Sequence, residues 1–127
     1  MARARPAEAA IAILPCNDIE ASERFYNRLG FASVRGEGHA DYRTLTRAAG
    51  GQLHLTKAEP GWLVPGRNPF AIYVYAEDVD GLAASLTDLL PQGRGPEDKP
   101  WGMYELALSD PDETLVRVGW PSDLHRR

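Results

Sequence analysis

The stretch NDIEASERFYNRLGF, Asn17 to Phe31, holds one helix and the signals for both of its ends. Asn17 or Asp18 can cap it, because a short side-chain oxygen accepts a free first-turn N–H. Glu20 and Glu23 suit the positive end of the helix dipole. Ile19, Ser22, Tyr26 and Leu29 fall on one face, with Phe25 beside it. Gly30 then stops the helix, because a left-handed residue there costs glycine nothing sterically. The preceding run EAAIAILPC, Glu8 to Cys16, is rich in Ala, Ile and Leu and predicts a buried strand.

Further along, FASVRGEG, DYRTLTRA and GQLHLTKA alternate or carry β-branched residues between glycine-bearing turns, and predict a meander of three strands. EPGWLVPGRNP, Glu59 to Pro69, is a linker or functional loop. The pattern then starts again. FAIYVYA predicts a strand, and EDVDGLAASLTDLL a helix with Val79, Leu82, Leu86 and Leu89 on one face. PQGRGPEDKPWG is loop-like, with room for a short edge strand. MYELALS and TLVRVGW are strands joined by the Asp-Pro turn DPDE. The tail PSDLHRR is expected to fray.

The two halves repeat. Asp18 and Asp78 are 60 residues apart (78 − 18), Tyr42 pairs roughly with Tyr104, and LHL (53–55) with VRV (116–118). Each half is therefore β-α-β-β-β. Alone it would leave an open sheet edge and a bare face, and pairing the halves covers both. The expectation is one α+β domain over residues 1–127. Its first repeat spans about 8–58, its linker 59–68, its second repeat 69–120 and its tail 121–127. The paired modules form a cupped mixed β-sheet with helices outside.

Composition narrows the function. A chain of 127 residues, 43% hydrophobic and 25% charged, fits a single globular domain. Its net charge of −4 argues against a nucleic-acid partner, which wants a basic face, and suits a cationic ligand. No stretch is long enough to span a membrane. The start MARARPAEAAIAIL lacks an uninterrupted apolar core before a cleavage site, so a cytoplasmic protein is expected. The one cysteine, Cys16, ends an apolar run and reads as a small buried hydrophobe.

The repeat, the run from Asp18 to Phe31 and the Asp-Pro-Asp turn together resemble the vicinal oxygen chelate superfamily. That superfamily includes glyoxalase I, extradiol dioxygenases, fosfomycin-resistance enzymes and bleomycin-resistance proteins. PWGMYELALSDPD, Pro100 to Asp112, resembles the Pro-Trp-Gly strand of the bleomycin-resistance group. This resemblance implies a metal-free homodimer that sequesters a glycopeptide antibiotic in grooves between subunits. Pro6 resembles the hinge that lets an N-terminal arm swap between subunits. In the enzyme branches, the resemblance implies His and Glu metal ligands at strand positions that here carry Ile11, His54, Ala71 and Arg117. One possible ligand in four, beside a fixed cation, does not make a divalent-metal site. No metal, cofactor or catalytic residue is expected.

The chain also departs from the group in three respects, one being that a net charge of −4 per chain is a weak field for a strongly cationic drug. Its final turn reads DPDET where Gly-Asn usually follows the acid and proline, and Glu113 is ill suited to the positive φ that Gly supplies. The region after LGF lacks the group's usual aromatic and has Arg35 near its place.

Trp101 leads the candidate ligand contacts. Pro100 and Gly102 place it at the end of an element, and an indole face can stack on a flat guest. Gly102 belongs with it. Trp62, in the Pro/Gly loop, lines a groove or staples the loop. Tyr42 and Tyr104 sit on strands, and the pattern leaves open which face each takes. His54 alternates with Leu53 and Leu55, so it points into the groove or serves the structure. Arg117 pairs with a ligand carboxylate or with Glu105, or lies on a solvated face. Glu37, Asp41, Glu97 and Asp98 read as solvated loop charges, His39 and His125 as solvated, and Trp120 as packing.

The sequence thus predicts a dimeric, metal-free small-molecule binder of the bleomycin-resistance type. The rivals are a metal-dependent glyoxalase- or dioxygenase-type enzyme, and a binder of another aromatic metabolite.

Overall fold

The computed structural model describes residues 5–33 and 39–126. The first half runs β1 (Ile13–Cys16), α1 (Ile19–Asn27), β2 (Phe31–Ser33), β3 (Tyr42–Arg47) and β4 (Gln52–Lys57). The second runs β5 (Ala71–Tyr75), α2 (Val79–Ser85), β6 (Glu97–Asp98), β7 (Met103–Ser109) and β8 (Leu115–Pro121), followed by α3 (Ser122–His125). Each half folds into a four-stranded mixed sheet, in the orders β1-β4-β3-β2 and β5-β8-β7-β6. In each sheet the first strand lies parallel to the last, and the other pairings are antiparallel.

The helix starts follow the local chemistry. Asp18 caps α1 by accepting from the Ala21 N–H at 3.1 Å, and Asp78 caps α2 through Gly81 at 2.9 Å. Gly30 ends the first helix segment at φ 96°. Ile19, Ser22, Phe25 and Tyr26 are buried, as the spacing predicts. Leu14 and Cys16 of β1, Leu45, Leu53 and Leu55 form the core of the first half; Val74, Leu106, Leu108, Val116 and Val118 form that of the second. Cys16 is wholly buried, and burial pushes its thiol up to about 11, so it sits in the core as an unreactive thiol.

The halves are keyed together by polar contacts. The Tyr26 hydroxyl donates to Asp110 at 2.8 Å, Arg28 pairs with Asp88 at 2.7 Å, and Arg47 donates to the Tyr75 carbonyl at 3.2 Å. Asp110 also accepts from the N–H groups of Asp112 and Thr114, which folds the Asp-Pro-Asp turn.

Four expectations need correction. The first strand pairs with β4 only from Ile13, opposite His54, and the last contact before it is the Ala12 carbonyl accepting from the His54 N–H at 3.0 Å. The second helix stops at Ser85, and Leu86 and Leu89 reach the core from a following turn. The tail does not fray: Ser122 is buried, and the His125 ring stacks on Tyr104 at 3.9 Å. Finally, Glu113 does adopt a positive φ, 69°, and its carboxylate accepts from the Gly66 N–H at 2.6 Å. The strand predicted over FASVRGEG is described only as Phe31–Ser33; Arg35 and Glu37 lie outside the described residues.

Candidate functional site

In each sheet one face packs on the core and helices, and alternate residues project from the other, open face. In the second half Tyr73, Glu105 and Arg117 project there from three adjacent strands, Tyr73 opposite Arg117 in the β5–β8 register. Trp101 joins them from the turn that leads into β7. Gly102, at φ 88°, lets the chain reverse there, and its N–H donates to the Lys99 carbonyl at 3.0 Å. Trp101 is 58% exposed, yet its indole N–H donates to Glu105 Oε1 at 2.8 Å.

Glu105 is the centre of this cluster. Its side chain has no exposure, and a buried carboxylate needs partners. It has three: Trp101, the Tyr73 hydroxyl at 3.0 Å, and Arg117 at 2.5 Å. Burial opposes its ionisation, but those three donors outweigh burial and hold the carboxyl below the usual glutamate range. Burial, then the Glu105 contact, pushes the Tyr73 phenol up. The Arg117 guanidinium also lies 5.5 Å from the centre of the Trp101 ring, a cation–π distance.

The first half places Tyr42 and His54 on its own open face. The Tyr42 hydroxyl and His54 Nδ1 are hydrogen-bonded at 2.6 Å, with the rings edge to face at 5.3 Å. The strand register shows how the repeat aligns. Thr44 faces His54 as Ala107 faces Arg117, and Tyr42 faces Thr56 as Glu105 faces Gly119. Glu105 is therefore the counterpart of Tyr42, since both offsets are 63 residues (117 − 54 and 105 − 42). Tyr104 falls on the opposite face, where its hydroxyl donates to Asp80 at 2.5 Å and its ring stacks on His125. It does not meet Trp101. Carrying the offset of LHL and VRV through the strand would have found Glu105.

Trp62 is 60% exposed, whereas its neighbour Leu63 is buried and holds the loop down. The loop is also tied to the Asp-Pro-Asp turn, by Asn68 donating to the Asp112 carbonyl and the Thr114 hydroxyl, both at 2.9 Å. Trp120 packs against the core. Glu105 and Arg117, with Lys99 and Arg94, border a pocket of about 270 Å³ whose lining does not include Trp101 or Tyr73. A larger one, about 450 Å³, lies at the junction of the halves among Phe31, Leu53, Ile72, Tyr75 and Trp120, away from Trp101.

The four positions that the resemblance sets against metal ligands carry Ile11, His54, Ala71 and Arg117, and the strand register puts Ile13 beside His54 and Tyr73 beside Arg117. Two cannot coordinate, and the guanidinium of the fourth already pairs with Glu105, so this donor set does not fit a divalent ion. Among the described residues, no three His, Cys, Asp or Glu side chains gather as a metal-binding group. No helix is long and apolar enough to cross a membrane.

The family model of the Glyoxalase/Bleomycin resistance protein/Dioxygenase superfamily matches residues 9–118. The chain belongs to this superfamily. Among solved structures of the superfamily's fold, it is similar to a bleomycin resistance determinant encoded on the transposon Tn5. The TM-score is 0.74 at 28% identity, over 91% of this chain and 98% of that one. A bleomycin-binding protein complexed with bleomycin matches at TM-score 0.74 and 27% identity, over 90% and 98%. A lactoylglutathione lyase from Agrobacterium tumefaciens shares the fold at TM-score 0.65 and 20% identity, over 91% and 95%. A comparison with curated proteins found no match.

Proposed function

We propose that this protein binds and sequesters a bleomycin-type glycopeptide antibiotic, without chemistry, as a cytoplasmic homodimer whose groove lies between subunits. One observation carries the proposal: Trp101 stands 58% exposed on an open sheet face, in a Pro-Trp-Gly turn. The similarity at 27–28% identity to proteins of bleomycin resistance and binding supports it. Ile13, Tyr73 and Tyr75 are also large apolar side chains left exposed, as a surface awaiting a partner or ligand leaves them.

Capture works by surface complementarity. A flat heteroaromatic guest stacked on Trp101 buries apolar area and gains a stacking term of about 1 kcal/mol. Because the indole N–H is taken by Glu105, Trp101 offers its ring face alone. Trp62 supplies a second exposed aromatic face, and His54 and Tyr42 supply polar anchors. The donor set at the four ligand positions gives the metal-enzyme reading no support.

The test is a tryptophan-fluorescence titration with metal-free and copper-loaded bleomycin, on protein first assayed for metal. Saturable quenching below micromolar concentration, lost in Trp101→Ala, supports capture. No response from metal-free protein sinks it. Sedimentation of the same sample checks the dimer.

A further inference from the structure

We propose that Glu105 is the positioning residue of the site: it fixes the Trp101 ring in its binding pose before any ligand arrives. The inference rests on Trp101 being a ligand contact. An exposed tryptophan on a turn would sample several rotamers, and ordering it would cost free energy at binding. Here the ring is tied by its indole N–H to a carboxylate that is itself buried and hydrogen-bonded. Glu105 is gripped by donors from two further strands, Tyr73 on β5 and Arg117 on β8. Gly119 makes this possible, because a Cβ there would lie 2.7 Å from the Glu105 Cβ and would run into the Tyr73 hydroxyl.

The same geometry fixes what Glu105 does not do. Its side chain has no exposure and its charge is matched by Arg117, so it offers no free anion to a cationic guest. It acts only through Trp101. Of that ion pair, only Arg117, with 36% of its side chain exposed, reaches the surface.

Amide-type hydrogen exchange at the indoles tests this in the ¹⁵N-labelled full chain. The three tryptophans give three indole signals, assigned by Trp62→Phe and Trp101→Phe. The Trp101 indole N–H should exchange at least about tenfold more slowly than that of Trp62, the factor expected of one charge-assisted hydrogen bond. In Glu105→Leu it should rise to the Trp62 rate, and metal-free bleomycin should bind about tenfold more weakly. Glu105→Gln, which keeps an acceptor oxygen, should restore part of both. Equal exchange at Trp101 and Trp62 in the wild type overturns the proposal, and that comparison needs no variant to fold. So does a folded Glu105→Leu with unchanged exchange and affinity. If the wild type binds no bleomycin, capture fails, and the exchange rates still decide whether Glu105 holds Trp101.

Discussion

The Tyr26 hydroxyl donates to Asp110 Oδ2 at 2.8 Å, joining the helix of the first half to the turn of the second. Both residues are buried. Burial, and then the adjoining carboxylate, pushes the Tyr26 phenol far above its ordinary range, so it stays a donor at any working pH. Asp110 Oδ1 meanwhile holds the N–H groups of Asp112 at 2.8 Å and Thr114 at 2.9 Å. One carboxylate therefore folds a turn and docks two modules.

Tyr26→Phe keeps the shape of the ring and leaves Asp110 Oδ2 buried without its donor. The expected loss is about 1–3 kcal/mol, the cost of one unsatisfied buried acceptor. Urea denaturation at pH 7 measures it. A loss near zero would mean that the Tyr26–Asp110 contact does not help to hold the two halves together.

Features set by neighbours in sequence were legible before the fold was known. The Asp18 and Asp78 caps, the stop at Gly30 and the exposure of Trp101 between Pro100 and Gly102 each depend on a few consecutive residues. Strand parity does not. A shift of one residue moves a side chain to the other face, and it separates Tyr104 on the helix side from Glu105 on the open side. The burial of Glu105 was harder still to foresee, because its donors lie 4, 12 and 32 residues away. The ordered tail is of the same kind: nothing near His125 in sequence announces the Tyr104 ring beneath it.

Glu113 sets two effects against each other. Its left-handed backbone costs a non-glycine residue about 1–2 kcal/mol, whereas its hydrogen bond to the Gly66 N–H stabilises the turn and the loop that carries Trp62. Glu113→Ala keeps the strain and loses the bond, so it should be less stable by about 1 kcal/mol. Glu113→Gly loses both and should stay close to the wild type. Denaturation of the two variants side by side separates the effects. If Glu113→Ala matches the wild type, the Gly66 contact contributes nothing.

Two carboxylates make stability depend on pH with opposite signs. The folded-state value of Glu105 is depressed, so its contribution is full above the ordinary glutamate value, roughly pH 4, and is lost as pH falls through the folded value. Asp112 is the reverse. Burial raises it, Asp110 and Asp18 add repulsion, and the Asn17 N–H and Ser22 hydroxyl only partly compensate. Its contribution is full below the ordinary aspartate value and is lost as pH rises through the folded value. Glu105→Gln should therefore trail the wild type most at pH 7, with the gap closing in acid. Asp112→Asn should lead the wild type at pH 7, and that lead should shrink in acid. Urea denaturation between pH 3 and 7 gives both trends. A gap that stays constant for Glu105→Gln would show that its three donors do not favour the ionised form.

Gly119 is a place to disturb the site without replacing any of its polar groups. Its open-face position faces Glu105 across β7 and β8. A methyl there would meet the Tyr73 hydroxyl, the Glu105 Cβ at 2.7 Å and the Tyr104 carbonyl oxygen at 3.0 Å. Backbone and a three-donor carboxylate cannot easily give way, so Gly119→Ala should cost about 1–3 kcal/mol, as overpacking does. It should also shift Trp101 fluorescence, because the displaced carboxylate no longer meets the indole N–H. Gly95→Ala is the control. A Cβ there meets nothing within 4 Å, and its expected change is within about 0.5 kcal/mol. Denaturation with fluorescence detection reads stability and ring environment in one experiment. A destabilised Gly119→Ala with native Trp101 emission would separate the packing role of Gly119 from the indole contact. An unchanged stability would mean that β8 can shift to admit the methyl, and that the close approach of Tyr73 and Glu105 is not required.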